Sequence, residues 1–233
     1  MVFIWLCASL ISLALAGPER QLAIINQWKC PKQCECDDNM SSTVCSRRNF
    51  KFIPNVPMSS MYVYFDRNIF ANPVLTSENF TSIPYVRGLY LRGCGITRFD
   101  VDAFSNLKLL RELDLSHNKI ESLPRNAFKS LQLEFLDLSY NSGIKLVPDA
   151  FCGAAISRLS LKCCDLTQID VQTFHPLFDS ITSLTLTCND IETLPASMVW
   201  SPSHLTTLNF GDNFRMKCDC NLIWIYRRMA LNK

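Results

Sequence analysis

A pair of apolar residues two apart returns seven times along this chain at nearly constant intervals. The pairs are Val63/Phe65, Leu89/Leu91, Leu113/Leu115, Leu136/Leu138, Leu159/Leu161, Leu184/Leu186 and Leu208/Phe210. Successive first members are 26, 24, 23, 23, 25 and 24 residues apart. The best-formed unit, Leu110 to Leu131, reads LRELDLSHNKIESLPRNAFKSL. Its apolar residues Leu110, Leu113, Leu115, Ile120, Leu123, Phe128 and Leu131 fit neither a strand nor a 3.6-residue helix throughout. Only Leu113-Asp114-Leu115 alternates like a strand, with two residues in and one out. The remainder fits a coil that turns back over a shared core. One such coil cannot bury its own apolar face, so it needs neighbours above and below.

Five residues after each first strand position stands Asn68, Cys94, Asn118, Asn141, Cys164, Asn189 or Asn213. A side-chain amide there can bond backbone groups left unpaired where the strand ends and the chain turns inward. A cysteine fits the same position because a thiol is a small, weak donor that buries readily. Ten residues beyond this ladder, in the middle repeats, come Phe104, Phe128, Phe151 and Phe174. Stacked coils place these rings over one another as a core spine. The first repeat reads as irregular, with Asn72-Pro73 breaking its return path.

The pattern L-x-x-L-x-L-x-x-N-x-I resembles that of leucine-rich repeats. The resemblance implies an α/β solenoid, a curved right-handed horseshoe with a parallel concave sheet of about seven short strands and an irregular convex side. Residues 58–213 hold the seven repeats. Residues 30–57 carry Cys30, Cys34, Cys36 and Cys45 without apolar period, which marks a disulfide-stapled segment rather than a core-forming domain. A zinc site is disfavoured because the C-x2-C spacing is missing. This segment resembles the N-terminal cysteine cap of extracellular leucine-rich-repeat proteins, a group that includes Slit, the Nogo receptor, Toll-like receptor ectodomains and variable lymphocyte receptors. In that family the first cysteine pairs with the third and the second with the fourth, which implies Cys30–Cys36 and Cys34–Cys45. Residues 214–233, with Cys218-Asp219-Cys220 followed by Leu222 and Trp224, resemble the start of the C-terminal cap. There the family pairs both cysteines with two further downstream, so Cys218 and Cys220 are expected to pair beyond Lys233 and the chain reads as a fragment.

Other features bear on compartment and partner. Residues 1–16, MVFIWLCASLISLALA, form an uncharged apolar run ending in an A-x-A site, as a secretory signal peptide does. Twelve cysteines and the sequons at Asn39 and Asn79 suit an oxidising secretory route, so the expected location is extracellular, secreted or at the cell surface. No later stretch approaches the ~20 apolar residues of a membrane span, so any membrane tether lies outside this chain. A net charge of +2 is too small to point to nucleic acid.

The strand ladder presents its outward residues on the concave sheet, and these are the candidate ligand contacts: Tyr62, Tyr64, Tyr90, Arg92, Glu112, Asp114, Phe135, Asp137, Tyr140 and Arg158. Tyr, Phe and Arg anchor protein interfaces, and here they cluster in the first five repeats. The expected function is recognition of a protein or glycan partner on this face. The alternative is a structural matrix protein of the small leucine-rich proteoglycan type. Asp114, Ser116 and His117 invite a catalytic-triad reading, but residues so close on one strand cannot easily make both required hydrogen bonds. No nucleophile elbow, zinc-binding histidine pair or phosphate loop occurs, and no cofactor is expected.

Cys163 and Cys188 each lie four residues after a first strand position, so they occupy one column in consecutive coils. Neighbouring parallel strands lie roughly 4.8 Å apart, within the roughly 4.4–6.8 Å between Cα atoms that a disulfide needs. A Cys163–Cys188 bridge across the surface is therefore expected, with adjacent Cys164 left as a buried thiol.

Overall fold

A computed structural model describes residues 29–195 and 204–217 of the chain. The expected leader at 1–16 and the expected C-terminal cap residues Cys218, Cys220 and Trp224 lie outside the described residues. An N-terminal hairpin pairs β1 (Glu35–Cys36) antiparallel with β2 (Ser42–Val44). Seven coils follow, each opened by one strand: β3 (Tyr62–Tyr64), β5 (Gly88–Tyr90), β7 (Glu112–Asp114), β9 (Gln132–Asp137), β11 (Ala155–Ser160), β12 (Ser183–Thr185) and β13 (Thr207–Asn209). Together with the hairpin they form a nine-stranded sheet in the order β1-β2-β3-β5-β7-β9-β11-β12-β13, parallel from β2 onward.

Register follows from the repeat. Val63, Leu89, Leu113, Leu136, Leu159, Leu184 and Leu208 stand side by side across the sheet. Because side chains alternate with period two, a slip of one residue would turn every leucine to solvent and every tyrosine and aspartate into the core. The six from Val63 to Leu184 are at most 2% exposed. The antiparallel β1 ends the sheet at its first edge, where the hairpin is stapled by Cys30–Cys36 and Cys34–Cys45.

The ladder column completes each coil. The Asn118 amide donates to the Leu91 and Leu115 carbonyls at 2.9 Å, while its oxygen accepts from Cys94 N–H and Ile96 N–H. Asn68, Asn141, Asn189 and Asn213 repeat the arrangement, and Asn68 extends it into the cap through Cys45, Arg48 and Phe50. In the two exceptional coils the thiols of Cys94 and Cys164 donate to Phe65 and Leu138 carbonyls at 3.3 Å. A thiol is a poor acceptor, so the N–H groups of Phe70 and Gly143 go instead to the backbone carbonyls of Cys94 and Cys164. Burial pushes these thiols up to about 12 and about 11, which keeps them protonated as donors.

Between strand and ladder, one residue per coil takes the left-handed conformation: Arg67, Gly93, His117, Tyr140, Cys163, Cys188 and Asp212, with φ from 52° to 66°. This turn rotates the following ladder residue inward while its own side chain stays outside. From Arg67 to Cys188, each donates its N–H to a carbonyl of the next coil, as Tyr140 does to Lys162 at 2.8 Å. Left-handed backbone disfavours any residue with a Cβ, and the hydrogen-bonded columns on either side hold it in place.

The convex side is irregular and nearly helix-free. It holds the single-turn α1 (Val171–Phe174), 3-10 turns at Ser77–Phe80 and His175–Leu177, and two small parallel pairs. These pairs join β4 (Val74–Leu75) to β6 (Arg98–Phe99) and β8 (Ser122–Leu123) to β10 (Lys145–Leu146). The first coil is thus more regular than Asn72-Pro73 suggests: the Pro73 carbonyl accepts from Thr97 N–H at 2.9 Å, a role that needs no proline N–H. The phenylalanine spine runs one coil further than expected, from Phe80 through Phe104, Phe128 and Phe151 to Phe174, with centroids 5.6 to 6.2 Å apart.

Candidate binding face

Three outward columns cover the concave sheet. One step before each inward leucine stand Tyr62, Gly88, Glu112, Phe135, Arg158, Ser183 and Thr207. One step after stand Tyr64, Tyr90, Asp114, Asp137, Ser160, Thr185 and Asn209, and two further on come Asp66, Arg92, Ser116, Ser139, Lys162, Thr187 and Gly211. Coils one and two are aromatic, three and four acidic, five basic, and six and seven carry small neutral residues.

Neighbouring coils bring these side chains into contact. Tyr64 and Tyr90 stack with centroids 4.4 Å apart and planes within 4°. Gly88 makes room for this cluster: a Cβ there would lie 2.6 Å from the Tyr62 ring. The Tyr90 hydroxyl donates to Glu112. Arg158 lies 5.2 Å over the Phe135 ring and donates through Nε to the Glu134 carbonyl at 3.4 Å. Of the ten candidate contacts, Arg158 and Tyr140 stay exposed, and the other eight are half-buried because adjacent rings and carboxylates cover one another.

Electrostatics single out the acids. Burial raises the Asp66 and Asp137 carboxyls above their ordinary range, and Asp114 nearby adds repulsion to both. Backbone N–H groups restrain the effect, Arg92 N–H on Asp66 and Ser139 N–H on Asp137, each at 2.9 Å. Burial, the Glu112 carboxylate and Tyr64 together push the Tyr90 phenol far above its ordinary value. Burial and Arg92 hold His117 below the ordinary imidazole value.

The left-handed column forms one rim of this face. His117 stacks on Tyr140 at 4.1 Å, Lys162 reaches over Tyr140 at 5.9 Å, and Cys163 is bridged to Cys188 with Cα atoms 4.6 Å apart. Cys164 beside them is buried and free. Ser116 stands in an outward column, yet it is 1% exposed and its Oγ lacks a hydrogen-bond partner. Ser139, next in that column, meets Ser160 at 2.7 Å. The left-handed column and the His117–Tyr140 stack also went unread, although Gly93 at the same step as Tyr140 was an available sign. Asn39 is exposed in the cap turn, and Asn79 lies on the convex Ser77–Phe80 turn, its Oδ1 accepting from Thr76 N–H at 2.7 Å.

Among the described residues no group of histidines, cysteines and carboxylates is arranged to hold a metal, and no helix is long and apolar enough to cross a membrane. Asp114, Ser116 and His117 do not form a relay: Asp114 accepts from the backbone N–H of Ser116, and His117 stacks on Tyr140.

Comparison with known proteins agrees with the geometry. Family models described as leucine rich repeat match residues 84–142 and 132–154. Chicken fibromodulin is 32% identical over 117 residues, covering 49% of this chain and 30% of the relative. Human leucine-rich repeat-containing protein 3B is 34% identical over 138 residues, 57% of this chain and 52% of that protein. Bovine osteomodulin is 28% identical over 199 residues, 79% of this chain and 43% of that one. The chain thus spans about half or less of the length of these relatives. The crystal structure of human trophoblast glycoprotein shares the fold, with a TM-score of 0.61 at 22% identity over 85% of this chain and 87% of that chain. These matches are to non-enzymatic proteins. Motif, in-register parallel strands and matched repeats together show that this chain carries leucine-rich repeats, matched over residues 84–154, and has their fold.

Proposed function

We propose that the chain is an extracellular recognition module that binds a protein or glycan partner on the concave face of coils one to five. One observation carries this reading: the interface-forming residue types are confined to those coils, while coils six and seven present Ser183, Thr185, Thr187, Thr207 and Asn209. Folding alone needs only that these positions be tolerated at the surface. Aromatic and arginine side chains at the centre of an interface cost about 2 kcal/mol or more when truncated. The apolar run at 1–16, the cap disulfides and the likeness to fibromodulin and osteomodulin support the extracellular setting. Glycans on Asn39 and Asn79 fit the same setting, carried on the cap and the convex turn.

A matrix role is the second reading, favoured by the fibromodulin, osteomodulin and keratocan likeness and tempered by the Cys218-Asp219-Cys220 pattern. Alanine at Tyr90, Arg92, Phe135, Tyr140 and Arg158 tests the concave assignment against any partner obtained. These variants are expected to weaken binding at least tenfold, with convex variants such as Tyr85→Ala near parental. Equal losses from both faces would reject the assignment.

A further inference from the structure

The acids on the concave floor have no cation of their own. The ion pairs among the described residues join Arg48 to Glu35, Arg125 to Asp149, Arg215 to Asp190 and Lys217 to Glu192. None takes Asp66, Glu112, Asp114 or Asp137. Arg92 is the lone cation in the three outward columns of coils one to four, and no carboxylate lies within ion-pair distance of it. Four carboxylates therefore have one guanidinium among them in these columns, with Arg67 on the rim, in a region already partly removed from water. Such burial without pairing costs free energy and is relieved when a positive group arrives.

A second, independent observation points to the same place. Ser116 lies two residues beyond Asp114, past the end of β7, in the next outward column, and is 1% exposed with an unpartnered Oγ. A buried hydroxyl without a partner is unusual in a folded protein and marks a floor where a polar group is missing. Beside it, the parallel Tyr64 and Tyr90 rings stack, with the Tyr62 ring across Gly88.

We propose that this floor is a subsite for a cationic side chain, an arginine or lysine presented by an extended segment of a protein partner. The inference rests on the concave face being the binding surface. A guanidinium lays its plane on an aromatic face while its edge donates to carboxylates, and it is less strongly hydrated than an ammonium, so arginine is the better occupant. Coil five shows the arrangement within this chain, where Arg158 covers Phe135 and donates to a carbonyl. The basic residues Arg158 and Lys162 border the subsite on its far side and exclude a second cation there, which sets the direction of the segment.

The test uses the purified full chain and three fluorescent nonapeptides of identical glycine-serine background, read by anisotropy. One carries two arginines at alternate central positions, the second carries citrulline there and the third glutamate. The arginine peptide is expected to bind, the citrulline peptide to bind at least tenfold more weakly and the glutamate peptide not to bind. Glu112→Gln with Asp137→Asn should weaken the arginine peptide at least tenfold, while Asp102→Asn with Asp179→Asn, away from this face, stays within twofold. The amides keep the acceptors used by Tyr90 and Ser139, and a melting temperature no lower than the parent's verifies the fold. Equal binding of arginine and citrulline peptides, lost on Tyr90→Ala, would overturn the cationic subsite and leave the concave face standing. Binding indifferent to Tyr90→Ala, equal losses from both carboxylate pairs, or no binding of the arginine peptide would overturn the subsite as well.

Discussion

Two stacks of side chains run along this solenoid, made by one operation and put to opposite uses. Inside, Phe80, Phe104, Phe128, Phe151 and Phe174 repeat one residue type at centroid spacings of 5.6 to 6.2 Å, each at most 2% exposed. On the concave face, Tyr64 meets Tyr90 at 4.4 Å, His117 meets Tyr140 at 4.1 Å and Arg158 covers Phe135, with the residue type changing at almost every coil. A column that repeats one residue answers a demand that every coil makes alike, which is burial. A column that varies answers no such demand. Stability therefore resides in the uniform column, and the proposed recognition in the variable one.

The largest expected effect breaks the uniform column at its centre. Phe128→Ala removes a ring packed against Phe99, Phe104 and Phe151 and should lower the unfolding free energy by about 3–5 kcal/mol in urea titration. Next comes the covalent link between coils five and six. Cys163→Ala should cost about 3 kcal/mol in the loop-entropy model for a closed loop of this size, and peptide mapping without reductant should recover Cys163 and Cys188 in one linked fragment from the parent. The ladder comes third. Asn118→Ala leaves buried backbone groups unpaired, at about 1–3 kcal/mol for such a group. Asn118→Cys should recover part of that loss, since Cys94 and Cys164 keep the carbonyl bond.

The smallest effect has the opposite sign. Asp137 has a folded-state pKa above its ordinary value, caused first by burial and then by Asp114, with Ser139, Arg92 and neighbouring His117 in its surroundings. The folded state thus holds this proton more tightly than the unfolded chain, so ionisation penalises folding at neutral pH. Asp137→Asn should leave the melting temperature unchanged or raise it at neutral pH, and the difference should vanish as pH falls through the raised pKa. A clear destabilisation at neutral pH would mean that the carboxylate serves the fold.

Sequence legibility divides along the same line. The strand pairs from Val63/Phe65 to Leu208/Phe210, the ladder from Asn68 to Asn213 and most of the spine were readable because a fixed period places like residues over like. Phe80 was missed because the first coil departs from the period that located Phe104. The burial of Ser116, the Tyr90–Glu112 hydrogen bond and the His117–Tyr140 stack were not readable. They depend on which rotamers unlike neighbours adopt across two coils, and no repeat dictates that. The return strand after Pro73 was hidden by a residue that usually breaks strands but here only accepts a hydrogen bond.

The most direct test of this division is the unfolding free energy of the triple variant Tyr90→Ala, Phe135→Ala, Tyr140→Ala beside that of Phe128→Ala, measured in urea under identical conditions. The exposed and half-buried rings contribute aromatic contacts of about 0.5–1.5 kcal/mol per pair, so the triple variant should lose less than the single spine variant. A triple variant that loses more than Phe128→Ala would show that the concave aromatics hold the solenoid together, and the separation of stability from recognition would fail.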